Sequence, residues 1–353
     1  MGWGVPKNDR RAVARQKPFV QIQTSSFAAD LVFRQAQDEV LMARPLKHGD
    51  RGSRRTSGSH PPALYIGVMT VALVSVGHAA IFVRIADADP IVIAAFRLGI
   101  AAAVLAPVTL IFARSELRTL TRRQLRLIAG AAVFLALHFA TWIASLDFTS
   151  IANAVVLVTL NPVWLALYGL IILRVQPGRG TWLSIALAVA GSVIIAAGSA
   201  AGGSTSLFGD LLALAGGIFI AGFLLLAQRA RQSVALLPFV TLVYGAAALL
   251  LWIVVIALGL PVAGLSATTY GALIALALIS QVIGHTGINW AVRAIPPTLL
   301  ALAILGEPVL AALFGWAYFG EGIGWPTALG GTLILGGIWL GTRANRLKSG
   351  QIG

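Results

Sequence analysis

The sequence predicts an all-α integral membrane protein: ten transmembrane helices in two inverted five-helix repeats, behind a disordered N-terminal tail. Three observations lead there. Apolar residues make up 58% of the 353 residues and charged residues 11%, with a mean hydropathy of +0.87; a soluble domain is about a quarter charged. From Ala63 onward, apolar blocks of membrane-spanning length alternate with short polar joints. The later blocks also repeat features of the earlier ones.

A membrane helix needs roughly 20 apolar residues to cross ~30 Å of hydrocarbon. Ten blocks meet that length: 63–83, 90–113, 126–146, 150–173, 180–198, 208–228, 236–258, 268–291, 297–319 and 325–342. Turn-forming residues separate them at Asp89-Pro90, Pro177-Gly178, Gly202-Gly203-Ser204, Pro261 and Pro296-Pro297. Between the third and fourth blocks only Asp147 to Ser150 intervene, so those helices must reverse almost at once.

The charges orient these blocks. With both termini cytoplasmic, 24 of the 26 Lys and Arg residues fall on inside segments, Arg84 alone falls outside and Arg97 lies within a span. This is the pattern of the positive-inside rule for a cytoplasmic (inner) membrane. It accounts for the net charge of +14 without nucleic acid as a partner, since a basic tail is attracted to anionic membrane lipid. Residues 1–62 hold 11 of those cations, lack a long apolar run and end in an Arg-, Ser-, Gly- and Pro-rich stretch that reads as disordered. An over-extended gene start, with Met42 as an alternative, is the competing reading of this tail. The resulting organisation is a tail (1–62), a first repeat (63–198), a linker (199–207), a second repeat (208–342) and a C-terminal tail (343–353).

The repeat shows as three paired features. His138-Phe139-Ala140-Thr141-Trp142 is echoed by the segment from His285 to Trp290, Asn161-Pro162-Val163-Trp164 by Glu307-Pro308-Val309-Leu310, and Gly191 by Gly337, each offset by 146 or 147 residues. Five helices per unit is an odd number, so the second copy enters the membrane upside-down. That is the architecture of many secondary transporters, whose substrate site lies near the midplane.

With these features, Asp89-Pro90, Ala95-Phe96-Arg97 and the stretch from Thr149 to Pro162 make residues 63–342 resemble the EamA-type branch of the drug/metabolite transporter superfamily. The resemblance implies export of amino acids or other metabolites, and treats Arg97 as a framework residue. It also implies Gly-Glu after the fourth and ninth spans; Gly320-Glu321 is present, but the fourth span ends in Arg174-Val175.

Polar groups inside spans are costly and are therefore site candidates. His138 and His285, with Trp142, Gln281 and Trp290, are expected to bind substrate. Gln281, His285 and Asn289 are each four residues apart, which gives one polar stripe on an α-helix. Glu307, beside the helix-breaking Pro308, is a candidate proton or cation site or part of a kink. Arg97 reads as an anion or gating charge, or as a tie between helices through backbone carbonyls. His78 is a further gating or coupling candidate. Trp182, Trp252, Trp325 and Trp339 fall near span ends as interface anchors. Trp142, Trp164, Trp290 and Trp316 fall further in.

No cysteine and no close histidine pair occurs, so no metal site or cofactor is expected. Phosphate-loop, nucleophile-elbow and zinc-protease motifs do not occur either. The chain therefore reads as a non-enzymatic secondary transporter that moves a small organic metabolite by alternating access, in the export direction, with a homodimer left open. A proton-coupled importer is the alternative within that class. A membrane enzyme acting on lipid-linked substrates is the alternative from another class; it would need a catalytic pair, and Glu307 stands alone.

Overall fold

Helices fill the computed structural model, which describes, besides Met1, residues 62–173, 179–201, 204–292, 304 and 306–350. All but Met1 belong to one unit, Pro45–Gly353. The predicted disordered tail lies outside the described residues, as do the joints at 174–178, 202–203 and 293–303.

The predicted first span is two helices, α1 (Pro62–Gly77) and α2 (Ala79–Ile85), with His78 between them. Next come α3 (Pro90–Phe112), the short α4 (Arg114–Arg118) and α5 (Arg122–Ser145). The fourth predicted span is also divided, into α6 (Ile151–Val158) and α7 (Asn161–Leu173). Then follow α8 (Arg179–Ala201), α9 (Ser204–Arg231) and α10 (Leu236–Ala257). The eighth span changes pitch: α11 (Ala267–Ala275) passes into a π-helical segment, Leu276–His285, and then α12 (Thr286–Ala291). The chain ends in α13 (Gly306–Phe319) and α14 (Trp325–Gly350).

The helix starts follow from local chemistry. Asp89 Oδ1 accepts the Ile91 N–H at 2.8 Å, and Pro90 fills the first position of α3, where no N–H partner is needed. Thr121 and Gln124 form a reciprocal capping box at α5. Ser150 and Ser266 cap α6 and α11 through the N–H groups of Asn153 and Thr269.

Among the described residues, seven helices are long and apolar enough to cross a membrane; a shorter apolar stretch, Trp182–Ile195, lies in the predicted fifth span. The first part of the predicted ninth span falls mostly outside the described residues. The predicted tenth lies within α14. Apolar side chains such as Ile66, Ile111, Phe112, Ile171 and Ile256 point outward, where hydrocarbon rather than water suits them. Trp182, Trp325 and Trp339 are exposed as anchors would be. Trp316, expected further in, is also exposed, at 64%.

Small residues let the helices approach. A Cβ added to Gly330 on α14 would lie 2.5 Å from the Gly191 carbonyl oxygen on α8. One added to Gly284 would lie 2.6 Å from Val76 Cγ2 on α1, where Ser280 Oγ donates to the Ser75 carbonyl at 2.9 Å. At one end of the bundle, Arg84 ties three elements together. It pairs with Glu321 at 3.1 Å and donates to the Thr149 carbonyl at 2.8 Å, while Glu321 Oε2 accepts the Ile151 N–H at 3.0 Å. This is where the Gly320-Glu321 corner acts: Gly320 takes φ 67°, a turn that suits glycine, and the carboxylate docks on the start of α6.

Candidate functional site

The break between α6 and α7 opens space inside the bundle. Pro162 has no N–H to continue the helix, and Thr159 turns its hydroxyl back to the Val155 and Val156 carbonyls at 2.9 and 3.0 Å. Helix α9 packs against this break through Gly216 and Gly217. Added Cβ atoms there would meet Trp142 Cβ at 3.2 Å and Trp164 Nε1 at 3.0 Å. Beside this contact is a cavity of about 50 Å³.

Its polar lining is Arg97 from α3, His138 and Trp142 from α5, Thr159 and Asn161 at the break, His285 and Glu307. Val76, Ala79, Phe139, Val158 and Ile220 supply the apolar wall. A cavity of this volume holds a few waters and is far below the ~300 Å³ of a small-molecule pocket.

Arg97 is the most constrained group. It is fully buried. Its Nε donates to Gln281 Oε1 at 2.7 Å, and its guanidinium lies 3.9 Å from the Phe139 ring centroid. Both Nη atoms lack a hydrogen-bond partner among the described residues. The tie therefore runs to a side-chain amide, not to backbone carbonyls as the sequence suggested.

His138 Nδ1 bonds the Gly216 carbonyl at 3.0 Å, which makes that nitrogen the donor, and its ring stacks on Trp142 at 6.2 Å. The His285 and Phe139 rings form a T-shaped pair with centroids 5.5 Å apart. Glu307 is half-buried in the first turn of α13. Among the described residues it makes no ion pair with Arg97, although both line the cavity.

Of the sequence candidates, the fold brings together His138, Trp142, His285, Glu307 and Arg97. It sets three apart. Gln281 is fully buried behind Arg97 and orients it without reaching the cavity wall. Trp290 stacks on Tyr65 at 5.0 Å and packs on the apolar cluster around Met69 and Ile288. His78 bonds the Val74 carbonyl at 2.8 Å and lies against Phe314, with ring centroids 4.0 Å apart.

Two members of the cavity do not stand out in the sequence. Phe139 looks there like part of a motif and is the platform under Arg97. Asn161 looks like an uncharged counterpart of Glu307 and stands on the same cavity. The position of each beside a more conspicuous residue is the one signal the chain offers.

The family model for EamA-like transporters matches residues 63–197 and again 207–343. The chain belongs to the EamA-like transporter family. Members of this family are membrane transporters of the drug/metabolite type, so this is a multi-pass membrane protein of that kind, with small-molecule solutes and lipid as its partners. The cavity draws on both matched regions of the EamA model: Arg97, His138, Trp142 and Asn161 from the first, Ile220, His285 and Glu307 from the second. In fold, the chain is similar to a crystal structure described only as that of a protein, with a TM-score of 0.59 and 20% identity over 82% of this chain and 99% of that one. No curated protein matches the chain.

Proposed function

We propose that this EamA-like protein is a secondary transporter that exports a small organic metabolite, an amino acid or similar solute, across the cytoplasmic membrane. It works by alternating access between two inverted five-helix halves, 63–198 and 208–342, with both termini in the cytoplasm. The observation that carries this reading is the shared cavity: each matched half contributes polar groups to one small, buried space. A site built across two halves opens to one side or the other as they rock. His138 and His285 hold the polar part of the solute, and Trp142 its apolar part. Gln281 acts from behind, through Arg97, and Trp290 supports the helix that carries His285. Arg97 and Glu307 supply gating or coupling charge, with His78 at the α1–α2 break as a hinge-side contributor.

The test is uptake by proteoliposomes across a panel of amino acids and other metabolites, with and without a proton gradient. Saturable transport above protein-free liposomes is expected. His285→Ala should weaken solute affinity by about 5- to 150-fold, the equivalent of one buried hydrogen bond. Glu307→Gln should preserve exchange while reducing gradient-driven accumulation. Absence of transport for the whole panel by correctly inserted protein overturns the proposal.

A further inference from the structure

A second cavity, of about 250 Å³, lies where the first turn of α5 meets the last turn of α9. Arg123 and Gln124 line it from α5, and Arg229, Gln232 and Ser233 line it from α9 and the turn that follows. It shares no residue with the central cavity, and among the described residues no acidic side chain lines it. The charge around it is equally one-sided. Residues 113–126 and 228–235 hold seven arginines and one acid, Glu116. Arg123 is exposed, whereas Arg229 is only 8% exposed. The wall between the two helices is already set. Gln124 Oε1 accepts the Thr121 N–H at 2.8 Å, which turns the amide nitrogen toward Ser233. That nitrogen donates to the Ser233 carbonyl at 3.0 Å and to Ser233 Oγ at 3.1 Å. Ser233 Oγ is the acceptor there, so its own O–H is left to donate. One turn further into the bundle the helices close up: a Cβ added to Gly130 would lie 3.0 Å from Leu226 Cδ1.

Two guanidinium groups, a hydroxyl and an amide make a wall rich in donors, and its natural ligand is an anion with several oxygens. A carboxylate offers two oxygens in one plane, which a single arginine fork satisfies. A phosphate group spreads its oxygens over a tetrahedron and can take arginines that arrive from two helices. The cavity is also larger than a carboxylate needs and approaches the ~300 Å³ of a small-molecule pocket. Its depth fits a head group. It lies at the ends of two spans, where the ~30 Å hydrocarbon layer gives way to the polar layer. The outward face of α5 carries exposed Leu125, Val133 and Leu137, a surface that suits an acyl chain. The topology proposed above puts this end at the cytoplasmic face, where basic pockets between membrane helices suit anionic head groups. We infer that this cavity binds a phosphate group between Arg123 and Arg229, carried by an anionic phospholipid or as the free anion. The two arginines come from different matched regions of the family model, so a phosphate on both would join the two regions at this end. The site is separate from the solute cavity and does not depend on what that cavity carries.

Thermal unfolding of the full chain in detergent, followed by tryptophan fluorescence, tests the site. The probes are phosphatidylglycerol, phosphatidylcholine and inorganic phosphate, each titrated separately. A ligand of the folded state raises the melting temperature saturably. Phosphatidylglycerol should do so and zwitterionic phosphatidylcholine should not. Arg123→Gln should raise the half-saturating concentration about 3- to 10-fold, and Arg229→Gln, from a buried position, about 10-fold or more. Arg114→Gln removes an exposed charge that does not line the cavity and should leave it within about twofold. Arg123 is exposed, so its variant carries the test even where Arg229→Gln does not fold. Saturation by inorganic phosphate that Arg123→Gln weakens, with no response to phosphatidylglycerol, also supports the site and makes the free anion its ligand. Three results overturn the inference: no saturable response to phosphatidylglycerol or phosphate, an equal response to phosphatidylcholine, or a response that Arg123→Gln weakens no more than Arg114→Gln does.

Discussion

Replacing Gln281 separates the holding of Arg97 from the making of the cavity, because Gln281 touches the cation and not the cavity wall. In Gln281→Leu, the Arg97 Nε loses its acceptor at 2.7 Å. A hydrogen bond to a charged group is worth about 1.5–3 kcal/mol. Leucine also leaves the Arg97 Nε buried without an acceptor, so stability should fall by at least about 1.5–3 kcal/mol. Arg97 meanwhile loses the bond that aims its guanidinium, and solute affinity should fall about tenfold or more. Gln281→Glu makes the opposite change. It supplies a buried carboxylate beside Arg97, so thermal stability should hold or rise, while the guanidinium is already paired and solute affinity collapses. Thermal unfolding followed by tryptophan fluorescence in detergent, alongside proteoliposome uptake, reads both quantities. Gln281→Glu with undiminished affinity for its solute would refute the reasoning, because a cation already neutralised by a neighbour cannot supply charge to the solute site.

The remaining expectations concern topology and packing. The chain has no cysteine, so single cysteines report cleanly. One at exposed Ala263 should react with an impermeant thiol reagent in intact cells and one at exposed Arg118 should not; reversed labelling would sink the cytoplasmic-termini topology. Arg231 would be a poor probe, since it is 3% exposed and bonded to the Val234 carbonyl. Gly330→Ala should lower stability by about 1–3 kcal/mol through overpacking against α8, whereas Gly271→Ala, with nothing within 4 Å of the added carbon, should raise it by about 0.5–1 kcal/mol; equal melting temperatures would count against the close α8–α14 contact. At the bundle end, Arg84→Ala and Glu321→Ala should be coupled by about 0.5–1 kcal/mol in a double-mutant cycle, a modest value because both side chains are partly exposed. Strict additivity would mean the ion pair contributes nothing. Deleting residues 1–58 should leave insertion and uptake near normal, and loss of transport by correctly inserted protein would show that the tail has a role.

Helix starts and the outward faces are legible in the sequence because their causes are local. Asp89-Pro90, Thr121 with Gln124, Ser150 and Ser266 carry their capping partners within three residues. The cavity is legible in part. His138, Trp142, His285, Glu307 and Arg97 stand out because a polar or ionisable group in an apolar run is costly to bury and must face protein or a cavity rather than lipid. Gln281 and Trp290, expected beside His138 and His285 to bind substrate, do not line the cavity, and for Gln281 the reason is geometric. Spacing by four stacks residues on an α-helix, but residues 276–285 wind as a π-helix, whose bonds run from i to i+5. Gln281 therefore turns to Arg97 while His285 faces the cavity.

Composition and charge placement are enough to make this chain helical and membrane-embedded, and its motifs place it in its family. In hydrocarbon every backbone polar group must be satisfied within its own segment, so composition and charge placement along the chain carry that information directly. Which polar groups meet depends on long-range packing. Arg97 and Gln281 are 184 residues apart, and His138 takes a carbonyl 78 residues away. The division of the fourth span and the close approach of Gly216 and Gly217 decide where a cavity remains. Those pairings depend on how apolar helices of similar composition pack side by side. Such packing is set by small differences in side-chain volume and backbone approach, which leave no periodic trace in the chain.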